Sequence, residues 1–306
     1  MASYTSLPAN EQRSWIMKWM ESLPRPTKTY HSDTYDRIAK QHNFDGQGKT
    51  ALITGGASGV GLTITRAFAE ANVARIVSIS RSVESQEKTR AELEKDFPSV
   101  KYIFYQASVT DYEKLENILK EVGSIDILIL NAALAHRRAD ATDISAEEVR
   151  DAFEVNAVAP FVLTKSYLAM PMPASGFRTI INISAGAAHM PGFHRVGYGP
   201  SKAAGHQIMQ NFAQQFKDKN VRVFSFHPGS YYTPGVAANI PKDAIQWDGE
   251  NLAAHFARWL AGPESDFLHG RFLWAHWDVD ELIELKEKLE KDPNFMTIGL
   301  VVPPME

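Results

Sequence analysis

Thr54-Gly55-Gly56-Ala57-Ser58-Gly59-Val60-Gly61 follows the apolar run Ala51-Leu52-Ile53 without a break and leads into a helix-patterned stretch that begins at Leu62. A strand passing through a glycine-rich turn into a helix is the setting a dinucleotide fingerprint requires. Gly55 permits the tight turn, Gly59 lets the backbone approach a pyrophosphate, and Gly61 allows the helix to pack closely. The helix N-terminus adds amide donors and positive potential, so a phosphate is expected there. Gly55, Ser58, Gly59, Val60 and Gly61 are therefore the candidate phosphate cradle.

Outward from this turn the same alternation continues. Short apolar runs fall near 51–54, 75–80, 102–107, 125–130, 179–184, 222–227 and 271–275. Helix-period segments fill most of the intervals: 62–71, 85–95, 111–122, 146–170 and 198–217. Continuous apolar strands separated by helices predict an α/β protein, a doubly wound seven-stranded parallel sheet covered on both faces. A polar, Pro-containing leader precedes residue 48, so the chain divides into an N-terminal extension, 1–47, and one domain, 48–306. Trp15, Ile16, Trp19, Met20 and Leu23 give the leader a helix-spaced apolar stripe over 10–23, closed by Pro24 and Pro26. A second amphipathic helix is expected over 278–291, where packing suffices to explain Leu282, Ile283, Leu285 and Leu289.

The second strand ends Ser78-Ile79-Ser80-Arg81-Ser82, with no carboxylate where one would hold a ribose 2′-hydroxyl. Arg81 stands there instead. A guanidinium pairs well with a 2′-phosphate, which predicts NADP(H) as cofactor over NAD(H). Farther on, Tyr198-Gly199-Pro200-Ser201-Lys202 places Tyr198 and Lys202 at i and i+4, on one helix face. A free phenol has a pKa of about 10. An adjacent ammonium stabilises phenolate, so Lys202 is expected to bring Tyr198 toward the range useful for proton transfer.

The glycine turn and the Tyr-x-x-x-Lys pair together resemble the short-chain dehydrogenase/reductase family, over about residues 48–276. The resemblance implies a Rossmann fold and further site positions. Asn131-Ala132-Ala133 matches an Asn-Ala-Gly element after strand four, with Asn131 and Ala132 near the cofactor. Asn156 matches a helix Asn that organises a proton-relay water, and Pro228, Gly229 and Thr233 match the segment that closes over nicotinamide. Ser108 stands where many members carry an Asp against adenine. The larger departure is at 185, where the family's catalytic Ser is replaced by Ala185 in Asn182-Ile183-Ser184-Ala185-Gly186. Ser184 lies one position early, and successive strand side chains point to opposite faces. A missing donor to a substrate oxygen is worth about 10²- to 10³-fold in rate elsewhere.

The catalytic candidates are therefore Tyr198, Lys202, Asn156 and Ser184. His136, Arg137 and Arg138 follow strand four, at the edge where such sheets bind ligands, and His189, His194 and Arg195 precede Tyr198. No carboxylate cluster accompanies the histidines, so no metal is expected. The expected activity is hydride transfer between NADP(H) and a carbonyl or imine. A non-redox isomerase, dehydratase or cyclase on the same scaffold is the alternative that Ala185 raises. The ends of the chain also look similar to filamentous-fungal members that serve secondary metabolism, and family resemblance implies a homodimer or homotetramer.

Composition agrees with a folded enzyme and excludes other classes. Of 306 residues 44% are hydrophobic and 22% charged, near the soluble globular average. Thirty-two Lys and Arg against 36 Asp and Glu leave a net charge of -4, with no field to hold nucleic acid or anionic lipid. Zero Cys removes thiolate and disulfide chemistry. No secretory signal and no apolar run long enough to span a bilayer is found, so a cytoplasmic protein acting on a small molecule is expected.

Overall fold

Thr50-Ala51-Leu52-Ile53-Thr54 is buried at all five positions and forms β1, the strand around which the rest is arranged. The computed structural model describes residues 24–190, 195–237, 241–243 and 245–299. Six more strands complete the sheet: β2 (Arg75–Ser80), β3 (Lys101–Gln106), β4 (Ile127–Leu130), β5 (Arg178–Ile183), β6 (Val221–His227) and β7 (Phe272–Trp274). Every pairing is parallel, in the order β3-β2-β1-β4-β5-β6-β7. The doubly wound seven-stranded sheet read from the sequence is thus the observed one.

The central strands are buried from end to end because helices cover both faces. Their side chains alternate between two cores, with the period of two that a strand imposes. Ile53, Ile129 and Ile181 join Ile64, Phe68 and Phe224 on one face, while Leu52, Leu128 and Ile180 join Leu115, Leu163 and Met209 on the other. Each such aliphatic side chain stabilises the fold by about 2 kcal/mol relative to exposure.

Helices depart from the pattern reading in informative ways. The first begins at Gly59 rather than Leu62 and runs to Glu70. The segment 146–170 is two α-helices, Ala146–Phe153 and Ala159–Ala169, joined by a π-helical turn at Glu154–Val158. Single π turns inside helices are rare and often sit at functional sites. One helix, Leu252–Leu260, was not read from the sequence; all nine of its residues are buried, including the polar His255 and Arg258. Within it Arg258, 2% exposed, donates to the Ala67 carbonyl at 3.2 Å, to Glu70 at 2.9 Å and to the Ile38 carbonyl at 3.3 Å. A cation thereby meets the carbonyl end of the Gly59–Glu70 helix, where it is favoured.

The leader from residue 24 onward is built into this body. Ile38 and Phe44 are buried, and Phe44 meets Phe68 edge-on at 5.3 Å. Tyr30 forms an antiparallel bridge with Trp277, and His31 pairs with Asp278 at 2.9 Å. The C-terminal helical segment is split at Leu285 into Val279–Glu284 and Lys286–Lys291. The predicted leader helix, 10–23, lies outside the described residues.

Candidate active site

The strand order changes direction between β1 and β4, and in open α/β sheets ligands bind beyond the carboxyl ends of the strands at such a point. The glycine turn sits there. Gly55 and Gly59 adopt φ of +69° and +52°, a region that L side chains avoid. A Cβ on Gly61 would lie 2.1 Å from the Gly55 carbonyl oxygen and 2.5 Å from Asn131 Nδ2, so only glycine fits. Ser58 is exposed at the helix N-cap and Val60 is half-buried in its first turn.

Asn131 and Ala132 close the other side of the switch point. Asn131 Nδ2 donates to the Thr54 carbonyl at 2.9 Å, and the backbone N–H groups of Asn131 and Ala132 both donate to Thr54 Oγ1, at 2.9 and 3.0 Å. The Asn131 side chain thus braces the turn rather than pointing into solvent. Arg81 follows β2 with an exposed side chain. Ser108, half-buried after β3, pairs its hydroxyl with Thr110 at 2.8 Å. The segment after β6 reaches back over the turn: Thr233 Cγ2 would lie 3.3 Å from a Cβ on Gly59. Pro228 accepts from the Tyr231 hydroxyl at 2.8 Å, and Gly229 has φ +114°.

Tyr198 and Lys202 lie in the first turns of the helix Tyr198–Phe216. That helix starts against the end of β5, where a Cβ on Gly199 would come within 2.6 Å of the Ala187 carbonyl oxygen. Lys202, 4% exposed, donates to the Ile183 carbonyl at 2.8 Å, and burial lowers its pKa to about 8. Tyr198 is half-buried, and burial raises its phenol above the ordinary value. The cation that opposes this rise is Arg195, whose guanidinium lies 5.8 Å from the Tyr198 ring centroid. Sequence reading assigned that part to Lys202.

Asn156, 2% exposed, occupies the π turn. Its Nδ2 donates to the Leu134 carbonyl at 2.8 Å and to Ser201 Oγ at 3.0 Å, while its Oδ1 accepts from Leu134 N–H at 3.0 Å. It locks the loop after β4 to the Tyr198 helix. Ser184 is buried with a hydroxyl that has no hydrogen-bond partner, and Ala185 beside it begins a short 3₁₀ turn, 186–188.

Among the loop candidates, His136 serves the scaffold: its Nε2 accepts from Gly197 N–H at 2.9 Å and its Nδ1 meets the Arg137 carbonyl at 2.7 Å. Arg137 pairs with Glu148 at 3.0 Å. His189 accepts from Trp274 Nε1 at 3.0 Å and is held neutral by burial. His194 lies outside the described residues. Two residues escaped sequence reading altogether. Asp248 accepts from Ser230 N–H at 2.7 Å and pairs with His276 at 2.9 Å, pinning the segment that carries Gly229 and Thr233. Nothing in the loop around Asp248 marks it as special before folding.

The residues present fit a phosphorylated dinucleotide: a glycine cradle that a Cβ would fill, a helix N-terminus behind it, and a guanidinium with no carboxylate after β2. Comparison with known proteins agrees with this geometry. A family model described as short chain dehydrogenase matches residues 49–244. The short chain dehydrogenase/reductase nsrO of Aspergillus novofumigatus is 57% identical over 290 residues, covering 94% of this chain and all of that one. AacuD of Aspergillus aculeatus, also called a short chain dehydrogenase/reductase, is 54% identical, covering 94% of this chain and all of its own. A short chain dehydrogenase from Burkholderia cenocepacia, solved in complex with NADP, superposes with a TM-score of 0.67 at 25% identity, covering 75% of this chain and 96% of that one.

Proposed function

The chain belongs to the short-chain dehydrogenase/reductase family of oxidoreductases, and from that premise we propose that it is an NADPH-dependent reductase of a carbonyl or imine on a small molecule. One observation carries this reading. Lys202 holds its ammonium on the Ile183 carbonyl at the carboxyl end of β5, one turn along from Tyr198 and beyond the same sheet edge as the glycine cradle. The cofactor, when bound, supplies or accepts the hydride. Gly55, Ser58, Gly59, Val60 and Gly61 would hold its pyrophosphate and Arg81 its 2′-phosphate.

Burial keeps the Tyr198 phenol protonated at neutral pH, so it is poised to give a proton to an oxygen or nitrogen that gains charge. That state suits reduction. Arg195 limits the upward shift, and Lys202, charged below about pH 8, adds positive potential near the same strand end. Asn156 keeps the two supporting segments in register. The Asp248–His276 pair holds the segment bearing Thr233 against Gly59.

The relatives from Aspergillus and the fungal texture of the chain ends support a secondary metabolite as substrate. Val158 and Phe161, 39% and 42% exposed on neighbouring helical turns, support self-association as a dimer or tetramer. Among the described residues no helix is long and apolar enough to cross a membrane.

Ala185 favours a second reading, a non-redox isomerase, dehydratase or cyclase using Tyr198 as acid or base. The two readings separate in one assay, NADPH absorbance followed with a panel of ketones and imines for the parent and for Ala185→Ser. Reduction predicts substrate-dependent NADPH oxidation, raised about 10²- to 10³-fold by the restored hydroxyl. Turnover without any absorbance change supports the second reading and removes the first.

A further inference from the structure

Three basic side chains follow β4, and the fold spends two of them. Both His136 ring nitrogens are engaged, by Gly197 N–H and the Arg137 carbonyl. Arg137 is committed to Glu148 and to the Asp143 carbonyl. Arg138 is different. It is half-buried, and its Nε is buried with no hydrogen-bond partner. Arg195 repeats this condition from the other side, half-buried with a buried and unpartnered Nε.

The His136–Gly197 hydrogen bond at 2.9 Å ties the two loops together, and the two guanidiniums lie within electrostatic range of each other. Their like charges act on each other, and burial together with Arg138 lowers the Arg195 pKa. Arg195 also lies over the Tyr198 ring at 5.8 Å. Two partly desolvated cations with unused donors are unfavourable by themselves and become favourable when an anion bridges them. A guanidinium fork suits a planar, delocalised oxyanion better than a compact one.

We propose that Arg138 and Arg195 form a recognition site for a planar oxyanion of the substrate, a carboxylate or an ionised phenol or enol, beside the Tyr198 hydroxyl. This names the substrate class for the reductase reading and rests on it for the part played by Tyr198. The reacting carbonyl then belongs to a molecule that also carries an acidic group, and the arginines set which molecules are taken.

The test uses the full chain with NADPH present and measures binding of benzoate, 4-nitrophenolate and the neutral benzamide by calorimetry. At least one anion is expected to bind about 10- to 100-fold more tightly than benzamide. Arg138→Gln and Arg195→Gln should each remove about tenfold or more of that preference. Arg138→Lys and Arg195→Lys, which keep charge and lose the fork, should fall between. Circular dichroism and NADPH fluorescence identify variants that fail to fold. Anions that bind the parent no better than benzamide overturn the proposal, as does a preference that survives in both Gln variants. If ketones are reduced yet anions gain nothing, the arginine site falls and the reductase reading stands. If no carbonyl compound oxidises NADPH while the anion preference needs both arginines, the reverse holds.

Discussion

Replacing Gly61 with Ala separates cofactor binding from fold stability. The new Cβ would stand 2.1 Å from the Gly55 carbonyl oxygen and 2.5 Å from Asn131 Nδ2, against ordinary contacts of about 3.5 Å. Neither neighbour yields cheaply. Gly55 N–H donates to the Ile79 carbonyl at 2.7 Å, and Asn131 Nδ2 holds the Thr54 carbonyl at 2.9 Å. Relief therefore demands that the turn and the helix behind it part by about 1 Å. Overpacking of this kind costs about 1–3 kcal/mol. The higher helix propensity of Ala, worth about 1 kcal/mol over Gly, offsets part of it. With a backbone atom only 2.1 Å away the cost lies at the top of that range or above it, so a net loss of about 2 kcal/mol or more and a Tm lower by several degrees are expected.

Cofactor binding should suffer more, because the displaced amides are the ones proposed to meet phosphate. Charge-assisted hydrogen bonds are worth about 1.5–3 kcal/mol each, so NADPH affinity should fall about 10- to 100-fold. Gly123→Ala is the control. Gly123 has φ +74° with nothing within 4 Å, so its substitution costs about 1–2 kcal/mol of backbone strain and touches no ligand. Fluorescence titration with NADPH, alongside thermal melting, reads both quantities. Equal NADPH affinity in Gly61→Ala and the parent would refute the placement of phosphate at this turn, whatever the melting temperatures.

Other outcomes follow from the same geometry. Arg81→Glu should cut the preference for NADPH over NADH about tenfold or more, measured as the ratio of the two kcat/KM values; an unchanged ratio removes Arg81 from the 2′-phosphate site. His206 is 1% exposed with neither ring nitrogen partnered, and burial lowers its pKa to about 3. Below pH 6.5 the unfolded chain takes up a proton that the native chain refuses, so stability falls as pH falls toward 3. The stability of His206→Leu relative to the parent should therefore rise by about 2–3 kcal/mol between pH 6.5 and 4.5, by urea unfolding. A gap that stays constant with pH shows that His206 does not titrate in this way.

The sheet was legible because parallel strands buried on both faces leave continuous apolar runs, and all seven lie within a few residues of their predicted places. Leu252–Leu260 was missed for a different reason: its polar residues, His255 and Arg258, are buried against Glu70 and the carbonyls of Ile38 and Ala39, so its polar side is met by the fold and not by solvent. The π turn around Asn156 was hidden as well, since its residues keep a helical composition.

The candidate site shows the same division. Tyr198 and Lys202, one helical turn apart, could be paired from spacing alone, and Gly55, Gly59 and Gly61 from their place between strand and helix. Asp248 acts through a loop distant in sequence from Ser230 and His276, and loop closure leaves no periodic trace; Arg195, only three residues before Tyr198, stands among the loop candidates without an assigned part. Spacing also misjudged which cation faces Tyr198. Lys202 turns to the Ile183 carbonyl, and Arg195 lies over the ring.

Deuteride transfer from NADPH carrying deuterium at both hydrogen positions of nicotinamide C4 reports on the central claim most directly. For the best substrate of the ketone and imine panel, the product should carry one deuterium at the reduced carbon, on one face only. Tyr198→Phe should bind NADPH as the parent does and transfer the label about 10²- to 10⁴-fold more slowly. An unlabelled product, or a labelled one formed at the parent rate by Tyr198→Phe, would contradict proton transfer by this phenol coupled to hydride transfer at the same site.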